Sequence, residues 1–264
     1  YYHNIIGKPH KKKIIARQRG YHGATTMTAS LTGLPNYHSG FDLPFALVKH
    51  TIAPDAFWAP ETDPRAFSQR CADELERLIL EEGPDTVGAF IAEPVVGSGG
   101  ILPPPPGYWE AIQPVLRKYD ILLIADEVIT AFGRTGAWSG SRLWGVQPDF
   151  LCTAKAITNG YYPFGATMIS SEVAEVFEND TTGGANIASG YTYSGHPVGA
   201  AAAVACLKET VRLNVKDNAA ARGAQMWEGV QTLMAKHYII GDVRGGVGLM
   251  TALELIGDKA KKAP

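Results

Sequence analysis

The sequence predicts an α/β fold, a mainly parallel sheet flanked by helices, followed by the start of a small α+β C-terminal domain. Three observations carry this prediction. Residues 86–93, 121–126 and 150–153 are short, nearly continuous apolar runs, as expected for parallel strands covered on both faces. A helix signal at 108–119, led in by four prolines and Gly107, separates the first two runs. A strand, helix, strand connection of this kind is a right-handed crossover, so the strands are parallel and their C-terminal ends share one sheet edge. Residues 1–213 read as the large domain, and 214–264 as a linker helix and the beginning of the small one.

The elements follow in order. Tyr1, Tyr2 and His3 read as the last turn of a helix stopped by Gly7 and Pro9, and with no initiator Met the chain reads as a piece of a longer protein. Residues 13–17 (KIIAR) form a short strand, followed by a glycine-rich turn around Tyr21 and a small-residue segment at 24–33. Between 35 and 60 the sequence is loop-like, with one strand candidate at 46–50. Thr62-Asp63-Pro64 opens a helix with a side-chain cap and a first-turn proline; Phe67, Cys71, Leu75 and Leu78 make one face apolar, and Gly83 ends it. After the 150–153 strand, 165–170 is an edge-strand candidate and 172–179 a helix. A glycine-rich polar loop then precedes helices at 197–213 and 215–237, and 242–255 reads as a strand pair.

Composition narrows the function classes. An apolar fraction of 45% with 19% charged residues is that of an ordinary globular protein. A net charge of -2 offers no basic face for nucleic acid or an anionic membrane. Lys11-Lys12-Lys13 and the tail residues Lys259, Lys261 and Lys262 read as solvated edges. Cys71, Cys152 and Cys206 are odd in number and far apart, which argues against a disulfide framework or a zinc cluster and for a reducing compartment. With no membrane-span or signal pattern, a cytoplasmic protein is expected.

The strand ends carry the chemistry. Glu93, Asp126 and Lys155 close or just follow three successive apolar runs, so the topology brings them to one edge, where open α/β sheets bind ligands. Read singly, Asp126-Glu127 fits a helix cap and Lys155 a surface lysine. Read together, they fit a carbonyl cofactor. A lysine can form a Schiff base with a carbonyl, and an aspartate is what pyridoxal phosphate needs at its pyridine nitrogen. If the strand extends to Val128, alternation puts Val128 and Asp126 on one side, where Val128 can pack on the ring face. Tyr21, set between glycines, suits the other face, although a plain surface turn fits that segment equally well. Glu93, Asp126 and His22 could also bind a metal, but no His or Cys pair supports this, and no metal is expected.

Several segments together carry a family resemblance: YHG at Tyr21, AEPV at Glu93, LLIADEVITAFGRTG around Asp126, TAKAITNGYYPFGA around Lys155, YTYSGHPVGAAAA at Thr192 and VRGGVGLM at Arg244. In this order they resemble the class III aminotransferases of the fold type I pyridoxal-phosphate enzymes, most closely the omega-amino-acid:pyruvate type. The resemblance implies that Lys155 is the Schiff-base lysine and the acid/base. It implies that Asp126 holds the pyridine nitrogen with Glu93 in support, that Tyr21 and Val128 sandwich the ring, and that His22 lies close by. Thr192 would reach the cofactor phosphate of a neighbouring subunit in a homodimer, and Arg244 reads as a structural turn residue. The implied reaction moves an amino group from an amine to a keto acid such as pyruvate. Other class III chemistries (decarboxylation, amino migration, racemisation) use the same two residues, and a non-catalytic scaffold is a further alternative.

Overall fold

Six strands build one sheet: β1 (Lys13–Arg17), β2 (Val48–Thr51), β3 (Val87–Ala92), β4 (Leu122–Asp126), β5 (Phe150–Thr153) and β6 (Ala166–Ile169). The computed structural model describes residues 1–187 and 189–258, so Lys259, Lys261 and Lys262 of the basic tail lie outside the described residues. The strand order is β2-β1-β3-β4-β5-β6; the first five strands are parallel, and β6 runs antiparallel to β5. All six residues of β3 are buried, which its unbroken apolar sequence requires in the middle of a sheet covered on both faces.

The helices are α1 (Tyr2–Ile5), α2 (Thr26–Leu31), α3 (Pro64–Glu82), α4 (Tyr108–Lys118), α5 (Gly140–Leu143), α6 (Ser171–Glu178), α7 (Pro197–Arg212) and α8 (Val215–Lys236). Asp63 caps α3 by accepting from Arg65 N at 3.0 Å. Phe67, Cys71, Leu75 and Ile79 of α3 pack with Ile15, Phe90, Trp109 and Ile112 in the main core. Leu78 is partly buried and packs against the same core, and Ile79, one turn beyond Leu75, is fully buried beside it. Truncating a core residue such as Leu75 would cost about 2–5 kcal/mol.

Three local expectations change. The 24–33 segment contains α2, started by a reciprocal capping box between Thr25 and Thr28 that small, helix-indifferent residues hide in the sequence. Strand β2 begins at Val48 instead of residue 46. At the N-terminus, α1 runs to Ile5, two residues beyond the predicted last turn and short of the stop at Gly7. The 128–149 connection between β4 and β5 holds only the four-residue α5.

Lys11 corrects the expectation that the Lys11-Lys12-Lys13 cluster is a solvated edge. It is only 7% exposed. Its ammonium donates to the carbonyls of Val87 at 3.0 Å, Tyr119 at 2.8 Å, Asp120 at 3.0 Å and Pro84 at 3.3 Å. These join the start of β1 to the turn before β3 and to the C-terminal end of α4, where the helix dipole favours a cation. Burial pushes the ammonium below its ordinary pKa, partly offset by Asp120. Lys11→Met should lower the unfolding free energy by about 3 kcal/mol, since it leaves four carbonyls without their charged donor. Urea melts test this, and a change of under about 0.5 kcal/mol, the size of an ordinary surface substitution, would show that the cage contributes nothing.

A second sheet is an antiparallel hairpin of β7 (Ile240–Val247) and β8 (Met250–Leu255) packed beside α8. Its turn is wedged against the 134–136 segment, where Leu249 N donates to Arg134 O at 2.9 Å. The approach to α8 is close enough that a β-carbon at Gly223 would lie 2.0 Å from Gly248 O. Among the described residues no helix is long and apolar enough to cross a membrane.

Candidate active site

Four of the five parallel strands deliver side chains to one place at their C-terminal edge. β1 leads to Tyr21, His22 and Gly23, β3 to Glu93, β4 to Asp126, Val128 and Ile129, and β5 to Lys155. These eight residues line a cavity of about 120 Å³. Larger cavities of about 490 and 400 Å³ flank α7, but neither brings a lysine and a carboxylate together. We place the chemistry in the smaller one because its donor set is the one that can act.

Asp126 is the last residue of β4, and its side chain is 10% exposed. One oxygen accepts from Val128 N at 3.1 Å, and the other pairs with His22 Nδ1 at 2.8 Å. A carboxylate can only accept, so Nδ1 carries the proton. The His22 side chain is 1% exposed, its main-chain N donates to Thr32 Oγ1 at 2.9 Å, and its Nε2 is buried without a hydrogen-bond partner among the described residues. The strand stops at Asp126, so Val128 reaches the cavity from the turn after it and not by strand alternation.

Glu93 is 3% exposed and does not touch Asp126 through a hydrogen bond. Its two oxygens accept from Tyr21 N at 3.1 Å and from Gly97 N at 2.8 Å. The neighbour that supports Asp126 is therefore His22, whereas Glu93 brackets two loops. Beneath it, the buried Arg17 donates to Glu93 O at 2.5 Å and lies over the Tyr108 ring. Burial pushes the Glu93 carboxyl above its ordinary value, opposed by His22, by the Gly97 and Tyr21 hydrogen bonds and by Arg17. The folded chain thus holds this proton to higher pH than the unfolded chain. The contribution of Glu93 to stability is full below the ordinary value of 4.5 and is lost as pH rises through the raised one. Relative to Glu93→Gln, the parent should lose stability as pH rises through that window. Urea melts from about pH 4 to about pH 7 test this, and parallel curves would refute it.

Lys155 opens a one-turn 3-10 helix with a φ of 47°. This left-handed conformation costs a residue with a β-carbon about 1–2 kcal/mol, and such outliers gather at functional sites. Its side chain is exposed and reaches the cavity. Tyr21 meets Tyr37 edge-on, with centroids 5.3 Å apart.

Glu127, the neighbour of Asp126, is fully buried and caps α5. It accepts from Gly140 N at 2.8 Å, Ser141 N at 2.6 Å and Thr130 Oγ1 at 2.5 Å. Thr192 is exposed and does not line the cavity. Arg244 is engaged within the fold, donating to Gly100 O and pairing with Glu254. Two contributors escaped sequence reasoning: Ile129 and the buried Arg17. For Ile129, the available signal was its place in the turn immediately after an acidic strand end.

The lining suits a flat, cationic heteroaromatic ring. It combines a carboxylate for a ring N–H, an aromatic and an aliphatic side chain for two faces, and an amine within the same cavity. No arginine or serine lines it among the described residues, so it accounts for a ring and a reacting carbonyl more fully than for a phosphate.

The family profile described as "Aminotransferase class-III" matches residues 1–264. The diaminobutyrate–2-oxoglutarate transaminase of Halomonas elongata is 48% identical over 266 residues, covering 99% of this chain and 56% of that protein. The mitochondrial gamma-aminobutyrate transaminase 1 of Oryza sativa subsp. indica is 46% identical, covering 100% of this chain and 51% of its own length. Among solved structures, the omega transaminase of Pseudomonas jessenii in complex with PMP superposes with a TM-score of 0.94 at 43% identity, over 100% of this chain and 58% of that one. The chain thus spans a little over half the length of the proteins it matches.

Proposed function

From the premise that this chain belongs to the class III aminotransferases, we propose that it moves an amino group from an amine or omega-amino acid to a keto acid such as pyruvate, with pyridoxal phosphate as cofactor. The observation that carries the proposal is one cavity lined by both Asp126 and Lys155, with Tyr21 and Val128 beside them. When bound, pyridoxal phosphate supplies an electron sink for charge at the substrate Cα.

The residues divide the remaining work. Asp126 holds the ring nitrogen and is itself oriented by His22 and by Val128 N. Tyr21 and Val128 hold the ring between them and exclude water from its faces. Lys155 carries the reactive amine, and moves a proton to and from the substrate Cα as acid and base. Thr192, exposed on its loop, is suited to reach a second copy of the chain, so the working unit is proposed to be a homodimer with shared sites.

The relatives' names suggest which substrates to try first. With pyridoxal phosphate, diaminobutyrate or gamma-aminobutyrate as donor and pyruvate or 2-oxoglutarate as acceptor, the protein should form alanine or glutamate. Binding of the cofactor without amino transfer from any amine would count against transamination. Light scattering of the same preparation checks the dimer.

A further inference from the structure

Two arginines distant in sequence converge on one glycine turn near the cavity. Val96 and Leu102 pair as an isolated antiparallel bridge, so the chain between them is a small hairpin tip. Gly100 N and Ile101 N both donate to Gly97 O, at 3.1 and 3.0 Å, which closes the tip into one tight turn. Arg19 Nε donates to Gly99 O at 2.8 Å, and Arg244 Nε donates to Gly100 O at 2.9 Å. The turn favours glycine: a β-carbon at Gly99 would lie 1.9 Å from Arg19 O, and Gly100, with a φ of 127°, would place one 2.7 Å from Arg19 Nη2 and 3.3 Å from Arg244 Nη2.

The same turn is held from the cavity side. Gly97 N donates to one Glu93 oxygen, and Tyr21 N donates to the other. A short path therefore runs from the Arg244 guanidinium through the 97–100 turn and the Glu93 carboxylate to the Tyr21 backbone. Each step is one hydrogen bond or a few covalent bonds. Arg244 is itself fixed. Its side chain is 10% exposed, it pairs with Glu254 at 2.5 Å and Asp242 at 3.7 Å, and its hairpin is pinned by the Leu249 to Arg134 bond. These partners occupy the guanidinium with structural work and leave it poorly placed to bind a substrate.

We propose that Arg244 is a positioning residue for the active site, locking the 97–100 turn so that Glu93 holds the Tyr21 backbone, and with it the ring that closes one side of the cavity. The consequence for cofactor affinity rests on the aminotransferase reading; the geometric claim does not.

Amide hydrogen exchange on the full chain, without cofactor, tests it. In Arg244→Met the Gly97 and Tyr21 amides should exchange faster by at least about tenfold, the effect of losing one charge-assisted hydrogen bond, while the β4 amides stay unchanged. Arg244→Met combined with Glu254→Gln removes the stranded acid and should give the same pattern, as should Gly100→Ala, which breaks the contact from the loop side. In a Glu93→Ala background, Arg244→Met should add nothing at Tyr21, because that amide has already lost its acceptor. Unchanged exchange at Gly97 and Tyr21, or equal acceleration across the sheet, would overturn the proposal. A parallel titration with pyridoxal phosphate should show about tenfold weaker binding in Arg244→Met. A parent that binds no pyridoxal phosphate would sink the aminotransferase reading, while the exchange data would still decide the role of Arg244.

Discussion

Lys155→Ala should lower amino transfer by about 10³-fold or more, because it removes the amine that reacts and the group that carries the proton. The fold should hardly notice. The Lys155 side chain is exposed, and alanine, which also has a β-carbon, inherits the same φ of 47° without new strain. The melting temperature should therefore stay within a few degrees, roughly the scatter of a surface substitution. The assay is keto-acid-dependent product formation with pyridoxal phosphate supplied. Borohydride reduction followed by peptide mass analysis should attach the cofactor to the peptide holding Lys155 in the parent and nowhere in the variant. Retained turnover would remove Lys155 from the mechanism.

Asp126→Asn should slow turnover by about 100-fold or more, since an uncharged amide no longer holds a proton on the ring nitrogen. The shape of the site is preserved, but its hydrogen bonds cannot all be. The two carboxylate oxygens accept from Val128 N and from His22 Nδ1. Asparagine offers one acceptor and one donor, so keeping the Val128 bond turns its NH₂ toward His22 and moves the histidine proton to Nε2. Nitrogen-15 NMR of the imidazole reads that change directly. A variant with the parent's turnover would refute the electron-sink role assigned to Asp126.

The architecture was largely legible because parallel connectivity is a strong constraint. Once 86–93, 121–126 and 150–153 are read as successive parallel strands, Glu93, Asp126 and Lys155 must reach one edge, and the structure places them around one cavity. What escaped depended on side-chain direction or on backbone partners. The bond from His22 to Asp126 depends on how the Tyr21 turn folds back across the sheet, which no periodicity encodes. Glu93 was expected to back Asp126 but binds two amides, and amides carry no residue signature. Val128 reaches the cavity beyond the end of its strand, where period-two reasoning no longer applies. Lys11 looked like one of three surface lysines because all four of its partners are carbonyls contributed by residues of unremarkable identity.

That last arrangement has a genetic consequence. A salt bridge broken at one end can be repaired by a substitution at the other, and the two positions can drift together. Among the described residues the Lys11 ammonium donates hydrogen bonds only to main-chain carbonyls, and every residue at those positions supplies the same group. A second-site suppressor screen on a Lys11 variant should therefore return reversion or scattered global stabilisers, never a compensating change at Pro84, Val87 or Tyr119.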